Sequence, residues 1–283
     1  MLWHEGRLSA GTTLPFDLAD RGLTLGDGVF DTALALAGRV AFEDAHVARL
    51  ATSAATLGFP APVEAIRAAM RALAATGPRL AIRTTLTRGP GPRGLAPPAD
   101  PRPALFATAA ASDPKGAFAP LRLWPTDILR NETSPTSRLK TLGYLDAVLA
   151  GGAARAAGFD EAVFSNTRGR LACAGTGNLF GIFGDRLVTP PLADGVLPGI
   201  VRAAILAAIA PACGLVCEER SAPHAAYERA DALFVTNSLR LLAPVSAIGA
   251  TVFAVDHPVL ARLIAALRAH VAAECGIAEE GVA

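Results

Sequence analysis

The stretch Arg138-Leu139-Lys140-Thr141-Leu142-Gly143-Tyr144-Leu145 decides how this chain is read, because it holds one of only two lysines among 26 Lys plus Arg. The other, Lys115, sits in Ser112-Asp113-Pro114-Lys115-Gly116, a polar, Pro/Gly-punctuated segment that predicts an exposed loop. Around Lys140, Leu139, Leu142, Leu145 and Leu149 recur at near-helical spacing, which predicts a helix over 140–157 with a buried apolar face. An amine beside such a face either reaches out to water or has its pKa lowered for use as a nucleophile. Most lysines are solvated, so the second reading needs support from the rest of the chain.

At 283 residues the chain is long for one core and suits two packed domains. It is 52% hydrophobic and 18% charged, yet Arg, Asp or Gly interrupts every apolar run before the roughly 18 residues that a membrane span needs. The start, Met1-Leu2-Trp3-His4-Glu5-Gly6-Arg7, lacks the basic and then apolar pattern of a secretory leader, so a cytoplasmic protein is expected. A net charge of +1 without a basic block argues against nucleic acid as a partner. Cys173, Cys213, Cys217 and Cys275 lack the paired spacing of a zinc site, and the histidines are scattered singly, so no metal is expected.

The first 112 residues predict a small α+β domain. It has hairpins over 2–8 and 29–42, helices over 43–57 and 63–75, and strands over 79–87 and 103–109 flanking a long basic loop over 88–98. A polar stretch with Pro114, Gly116 and Pro120 reads as an interdomain linker over 113–121. Residues 122–283 predict a larger mixed domain of short strands, a helix over 199–212 and a last helix over 258–273. Strands and helices do not alternate, so a doubly wound parallel sheet is disfavoured.

Several motifs carry chemistry only in company. Gly89-Pro90-Gly91-Pro92-Arg93-Gly94 matches a dinucleotide fingerprint by letter, but its prolines forbid a helix opening on it. In Leu197-Pro198-Gly199-Ile200-Val201-Arg202 a Pro-Gly turn releases into an apolar helix, so the amides of Ile200 and Val201 point toward an anion or simply begin a helix. Arg49 in His46-Val47-Ala48-Arg49-Leu50 is a surface arginine or an anion clamp. The strand end Thr236-Asn237-Ser238-Leu239 is a turn or a set of hydrogen-bonding groups.

In order, these strings resemble the fold type IV family of pyridoxal-phosphate enzymes, which is D-amino-acid aminotransferase-like in fold and includes branched-chain and D-amino-acid aminotransferases and aminodeoxychorismate lyase. The resemblance runs from Asp20-Arg21-Gly22 and Gly26-Asp27-Gly28-Val29-Phe30 through His46 to Leu50 and Lys140 to Leu145. It continues through Asn178-Leu179-Phe180, Thr189-Pro190-Pro191-Leu192, Leu197 to Arg202 and Phe234 to Val245. It implies a two-domain α+β fold and pyridoxal 5'-phosphate as cofactor. Lys140 would carry the Schiff base and move the Cα proton. Arg49, the amides of Ile200 and Val201, and Ser238 would hold the phosphate, with Asn237 beside them. Tyr144 would sit by the ring hydroxyl, and Phe30, Thr32 and Leu239 would face a small-molecule amino substrate.

The resemblance also implies a homodimer, with the cofactor between the domains and a neighbour's loop over it. That role suits a long, mobile 88–98 segment.

Two positions depart from the family pattern. Gly143 stands where Asn is usual, and Cys173 stands where a glutamate normally pairs with the protonated pyridine nitrogen. A thiol is only a weak donor, so the ring would be a weaker electron sink. Asp31 and the Asn237-Ser238-Leu239 string are more similar to aminodeoxychorismate lyases, which eliminate pyruvate from 4-amino-4-deoxychorismate to give 4-aminobenzoate for folate synthesis. Thr32 would then help return a proton to the departing ring. An aminotransferase acting on branched-chain or D-amino acids is the alternative, and a cofactor-binding homologue with little catalysis is the second.

Overall fold

The computed structural model describes residues 1–283, which form two compact units. The first comprises residues 1–114, 139–143 and 271–282, and the second comprises residues 115–138 and 144–270 with the terminal residue.

In the first unit, β1 (Leu2–His4), β2 (Arg7–Ser9), β3 (Gly28–Leu36), β4 (Arg39–Val40), β5 (Arg79–Thr87) and β6 (Ala104–Ala111) form one antiparallel sheet. Its order is β2-β1-β6-β5-β3-β4. A short helix, α1 (Arg21–Leu25), precedes β3, while α2 (Glu43–Thr56) and α3 (Val63–Ala74) contribute to a common core with the sheet. Val29, Ala33 and Ala35 of β3 and Ile82 and Leu86 of β5 enter this core with Val47, Leu50, Ile66 and Leu73. Side chains alternate across a strand, so Phe30, Thr32, Arg83 and Thr85 take the opposite face.

The second unit is built on β7 (Leu121–Pro125), β8 (Glu161–Ser165), β9 (Leu171–Ala174), β10 (Asn178–Phe183) and β11 (Arg186–Thr189). β12 (Val216–Glu219), β13 (Ala232–Asn237), β14 (Leu241–Ile248) and β15 (Thr251–Val252) complete the sheet. Its order is β12-β11-β10-β13-β14-β7-β8-β9, and Asn178 pairs back onto Cys173, so the strands from β10 round to β9 close on themselves. Closure leaves no free edge along that circuit. Helix α4 (Leu145–Ala156) packs Ala150 and Ala154 against Ala162 and Phe164 of β8.

A helical run begins with α5 (Ile200–Ala204), loosens into a π-turn over Ile205–Ile209 and ends as α6 (Ala210–Ala212). A short α7 (His224–Tyr227) and α8 (Pro258–Cys275) complete the helices. No helix is long and apolar enough to cross a membrane.

Two expectations are corrected. Lys140 does not open a helix, since α4 begins at Leu145. Leu145 and Leu149 are 75% and 63% exposed rather than buried. Residues 139–143 instead lie along β3 through a single bridge between Thr141 and Val29, where Phe30 N donates to Lys140 O at 2.8 Å and Leu142 N to Gly28 O at 3.1 Å. The leucine spacing suited a helix, but this backbone pairing prevails over local propensity. The second correction concerns the basic loop, which is anchored from inside. Arg21 Nη1 donates to Gly94 O and Ala96 O, and Nη2 to Leu95 O, at 3.0–3.2 Å. Arg88 is buried, with Nε on Asp27 Oδ2 at 2.7 Å and Nη2 on Leu57 O at 2.6 Å. The sequence places Arg88 in the loop but does not show that its donors turn inward, or that Arg21 of α1 reaches the loop's carbonyls.

Candidate functional site

The first unit gathers the lysine and three charged side chains around β3. Because Lys140 O is held by Phe30 N, its side chain rises beside that strand, with Nζ 4.4 Å from the centroid of the Phe30 ring. Arg83, paired across from Thr32, places its guanidinium carbon 3.5 Å from the same centroid. Phe30 is buried and Thr32 half-buried. This is an aromatic floor with a primary amine and a guanidinium above it, suited to an anionic small molecule that an amine attacks. Arg83 is the residue that the sequence reading missed. The available signal was its odd offset from Ile82 and Leu86, on a strand whose other face is apolar.

On the opposite face of β3, Asp31 is 1% exposed and meets two residues of α2. His46 Nδ1 lies 2.7 Å from Asp31 Oδ1, while Arg49 Nε and Nη2 donate to Oδ2 and Oδ1 at 2.8 and 2.7 Å. Helical i, i+3 spacing puts both partners on one side of α2. Burial would raise the Asp31 carboxyl, but His46 and Arg49 outweigh it and hold the group far below the usual carboxylate range.

The second unit carries the remaining candidates. Cys173 is buried on β9, in register with Phe164 on one side and Asn178 on the other. Burial pushes its thiol above the usual range, partly opposed by Arg130, whose guanidinium carbon lies 4.1 Å over the Phe164 ring. The thiol is therefore neutral and has a cation beside it. No side chain caps the N-terminus of α5 at Gly199, and Ile200 and Val201 are its first helical residues.

Asn178 explains the placement of that end. Its Nδ2 donates to Leu197 O at 2.9 Å, and any Cβ on Gly199 would collide with its Oδ1.

Asn237 spends its side chain within the protein. Its Oδ1 accepts from Leu239 N at 3.0 Å and Arg240 N at 2.8 Å, and its Nδ2 reaches Thr176 Oγ1 at 3.3 Å. Thr176 in turn donates its backbone and hydroxyl to buried Glu161. Asn237 thus shapes the turn bearing Ser238 and Leu239, both half-buried. Tyr144 stands at the N-cap of α4, accepting from Val148 N at 3.0 Å. No cluster of His, Cys, Asp or Glu is arranged to hold a metal ion.

This fold is that of the fold type IV pyridoxal-phosphate enzymes. A branched-chain aminotransferase from Thermoproteus uzoniensis has the same fold at a TM-score of 0.88 and 24% identity, over 96% of this chain and 95% of its own. Residues 28–248 match the family described as amino-transferase class IV, and the chain belongs to that family as a pyridoxal-phosphate-dependent enzyme.

Two similar proteins carry different activities in their names. A putative branched-chain-amino-acid aminotransferase of Methanocaldococcus jannaschii is 34% identical over 239 residues, 80% of each chain. A putative 4-amino-4-deoxychorismate lyase of Legionella pneumophila is 31% identical, with a TM-score of 0.83 over 91% of this chain and 96% of its own.

Proposed function

We propose that the chain is a lyase that releases pyruvate from 4-amino-4-deoxychorismate, yielding 4-aminobenzoate for folate synthesis. The observation that carries this reading is the neutral thiol of Cys173 beside Arg130, where relatives are expected to place a carboxylate. Bound pyridoxal 5'-phosphate supplies an aldehyde for an amine and a conjugated ring that accepts electrons from Cα. Each unit carries donors of the kind the cofactor's phosphate and aldehyde require: Arg49 and the Lys140 amine in one, the uncapped helix start at Ile200 and Val201 and Ser238 on its turn in the other. At the ring nitrogen, a cation next to a neutral thiol opposes protonation and weakens the ring as an electron sink. That penalises a transfer requiring full charge delocalisation more than an elimination whose leaving group departs early.

In this reading Lys140 takes the Cα proton and Thr32 delivers a proton to the departing enolpyruvyl group, which leaves as pyruvate while the ring becomes aromatic. Arg83 binds a substrate carboxylate above Phe30, Leu239 is assigned to the substrate, and Tyr144 to the cofactor's ring hydroxyl. The exposed stripe Leu145, Val148 and Leu149 on α4 supports a homodimer, since such apolar faces mark interaction surfaces.

The test is release of pyruvate and 4-aminobenzoate from 4-amino-4-deoxychorismate without an added keto acid. Absence of both from cofactor-loaded protein that transaminates branched-chain amino acids would establish the second reading, which the Methanocaldococcus relative favours. Replacing Cys173 with Glu should shift the ratio of half-transamination to elimination upward, and an unchanged ratio removes the ring-nitrogen argument.

A further inference from the structure

We propose that Asp31 and His46 are positioning residues that aim Arg49 at the cofactor phosphate before the cofactor arrives, an inference that rests on the phosphate role given to Arg49 above. An arginine side chain is rich in rotamers, and an anion that binds it must otherwise overcome the loss of that freedom. Here Asp31 holds Nε and Nη2 together, a side-on grip that fixes the plane and the direction of the guanidinium. The grip is itself fixed, because Asp31 is 1% exposed on a central strand and His46 is 0% exposed on α2.

A carboxylate only accepts hydrogen bonds, so His46 carries its proton on Nδ1. Its Nε2 is buried without a hydrogen-bond partner, so the ring's polar contact is the one with Asp31. His46 thus braces Asp31 from α2, beside Arg49.

The same strand also sets the lysine. Phe30 N holds Lys140 O, and the next residue, Asp31, holds Arg49 on the opposite face. Consecutive residues of β3 therefore register the nucleophile and the phosphate arginine against each other, so a small displacement at Asp31 alters the aim of one without disturbing the other.

The experiment compares dissociation constants of pyridoxal 5'-phosphate and pyridoxal, which lacks the phosphate, for the apoprotein and its variants, with folding checked by circular dichroism. Arg49→Met should lower the preference for the phosphorylated form at least about tenfold. Asp31→Asn should lower it about tenfold while pyridoxal binding stays unchanged, and should add nothing in the Arg49→Met background. His46→Gln should give a smaller loss in the same direction.

If Arg49→Met leaves the preference intact, the phosphate reading fails and the inference falls with it. If Arg49→Met abolishes the preference while Asp31→Asn retains the wild-type value, the phosphate reading stands and the positioning role is overturned. Should Asp31→Asn not fold, Asp31→Glu decides by the same ratio, since it keeps the charge and displaces it by one methylene.

Discussion

The Nζ of Lys140 lies 4.4 Å from the centroid of the Phe30 ring, although backbone pairing rather than side-chain packing brings the two residues together. The amine is therefore placed by strand register. Replacing Lys140 with Ala should leave the fold intact, remove the borohydride-sensitive visible absorbance of the loaded enzyme and lower turnover by at least about a thousandfold. Phe30→Leu keeps the backbone bond and removes only the ring, at a cost of about 0.5–2 kcal/mol in cation–π attraction. Turnover should then fall several-fold, and a loss as deep as that of the lysine variant would contradict this division of labour.

Arg83 stacks on the same ring from β5. If it binds a carboxylate of the substrate, Arg83→Met should raise KM about tenfold to a hundredfold with a smaller change in kcat. An unaltered KM in steady-state assays would exclude that role. Cofactor content, read from absorbance, should not change, since Arg83 is not assigned to the cofactor.

Asp31 links stability to acidity. Its carboxyl is held below the ordinary range by His46 and Arg49 against the cost of burial, so it binds a proton more weakly folded than unfolded. The sign follows from linkage: the stabilisation is complete above the unfolded carboxylate value near pH 4 and is lost as pH falls toward the folded one. Asp31→Ala strands Arg49 without its buried counter-ion and should cost about 3–5 kcal/mol at pH 7. The gap from wild type in urea unfolding should narrow below about pH 4, and a pH-independent gap would sink this account.

The loop over 88–98 should tighten or loosen with Arg21. That side chain donates to the carbonyls of Gly94, Leu95 and Ala96 and to Asp27, so Arg21→Ala removes three hydrogen bonds from the loop and a fourth from Asp27. Limited proteolysis should then cut near Leu95, which is already 83% exposed, at least several-fold faster than in wild type. Equal cleavage rates would mean that other contacts hold the loop.

The stripe on α4 gives a measurable assembly prediction. Leu149→Glu places a charge at the centre of Leu145, Val148 and Leu149, so sedimentation should show a monomer where wild type shows a dimer. A wild-type dimer that survives this change would place the interface elsewhere.

Much of this was legible in the sequence, and the misses share a cause. The two-domain α+β order, the turn before Ile200 and the singular status of Lys140 followed from local signals: glycine and proline punctuation, strand and helix periods, and a near absence of competing lysines. Leu139, Leu142, Leu145 and Leu149 misled, because their spacing fits a helix while the hydrogen bonds of 139–143 go to β3. Arg83 escaped notice because its importance depends on the ring across the strand, and Asn237 because its amide serves a turn and Thr176.

The sequence by itself determined which residue types were present and in what order, which was enough to define the family and its cofactor. Only the tertiary structure decided that Lys140 lies on a segment bridged to β3, that Asp31 holds Arg49, and that Arg130 attends Cys173. Those partners lie far apart along the chain or on different elements, and strand pairing and burial bring them together where no local pattern records it.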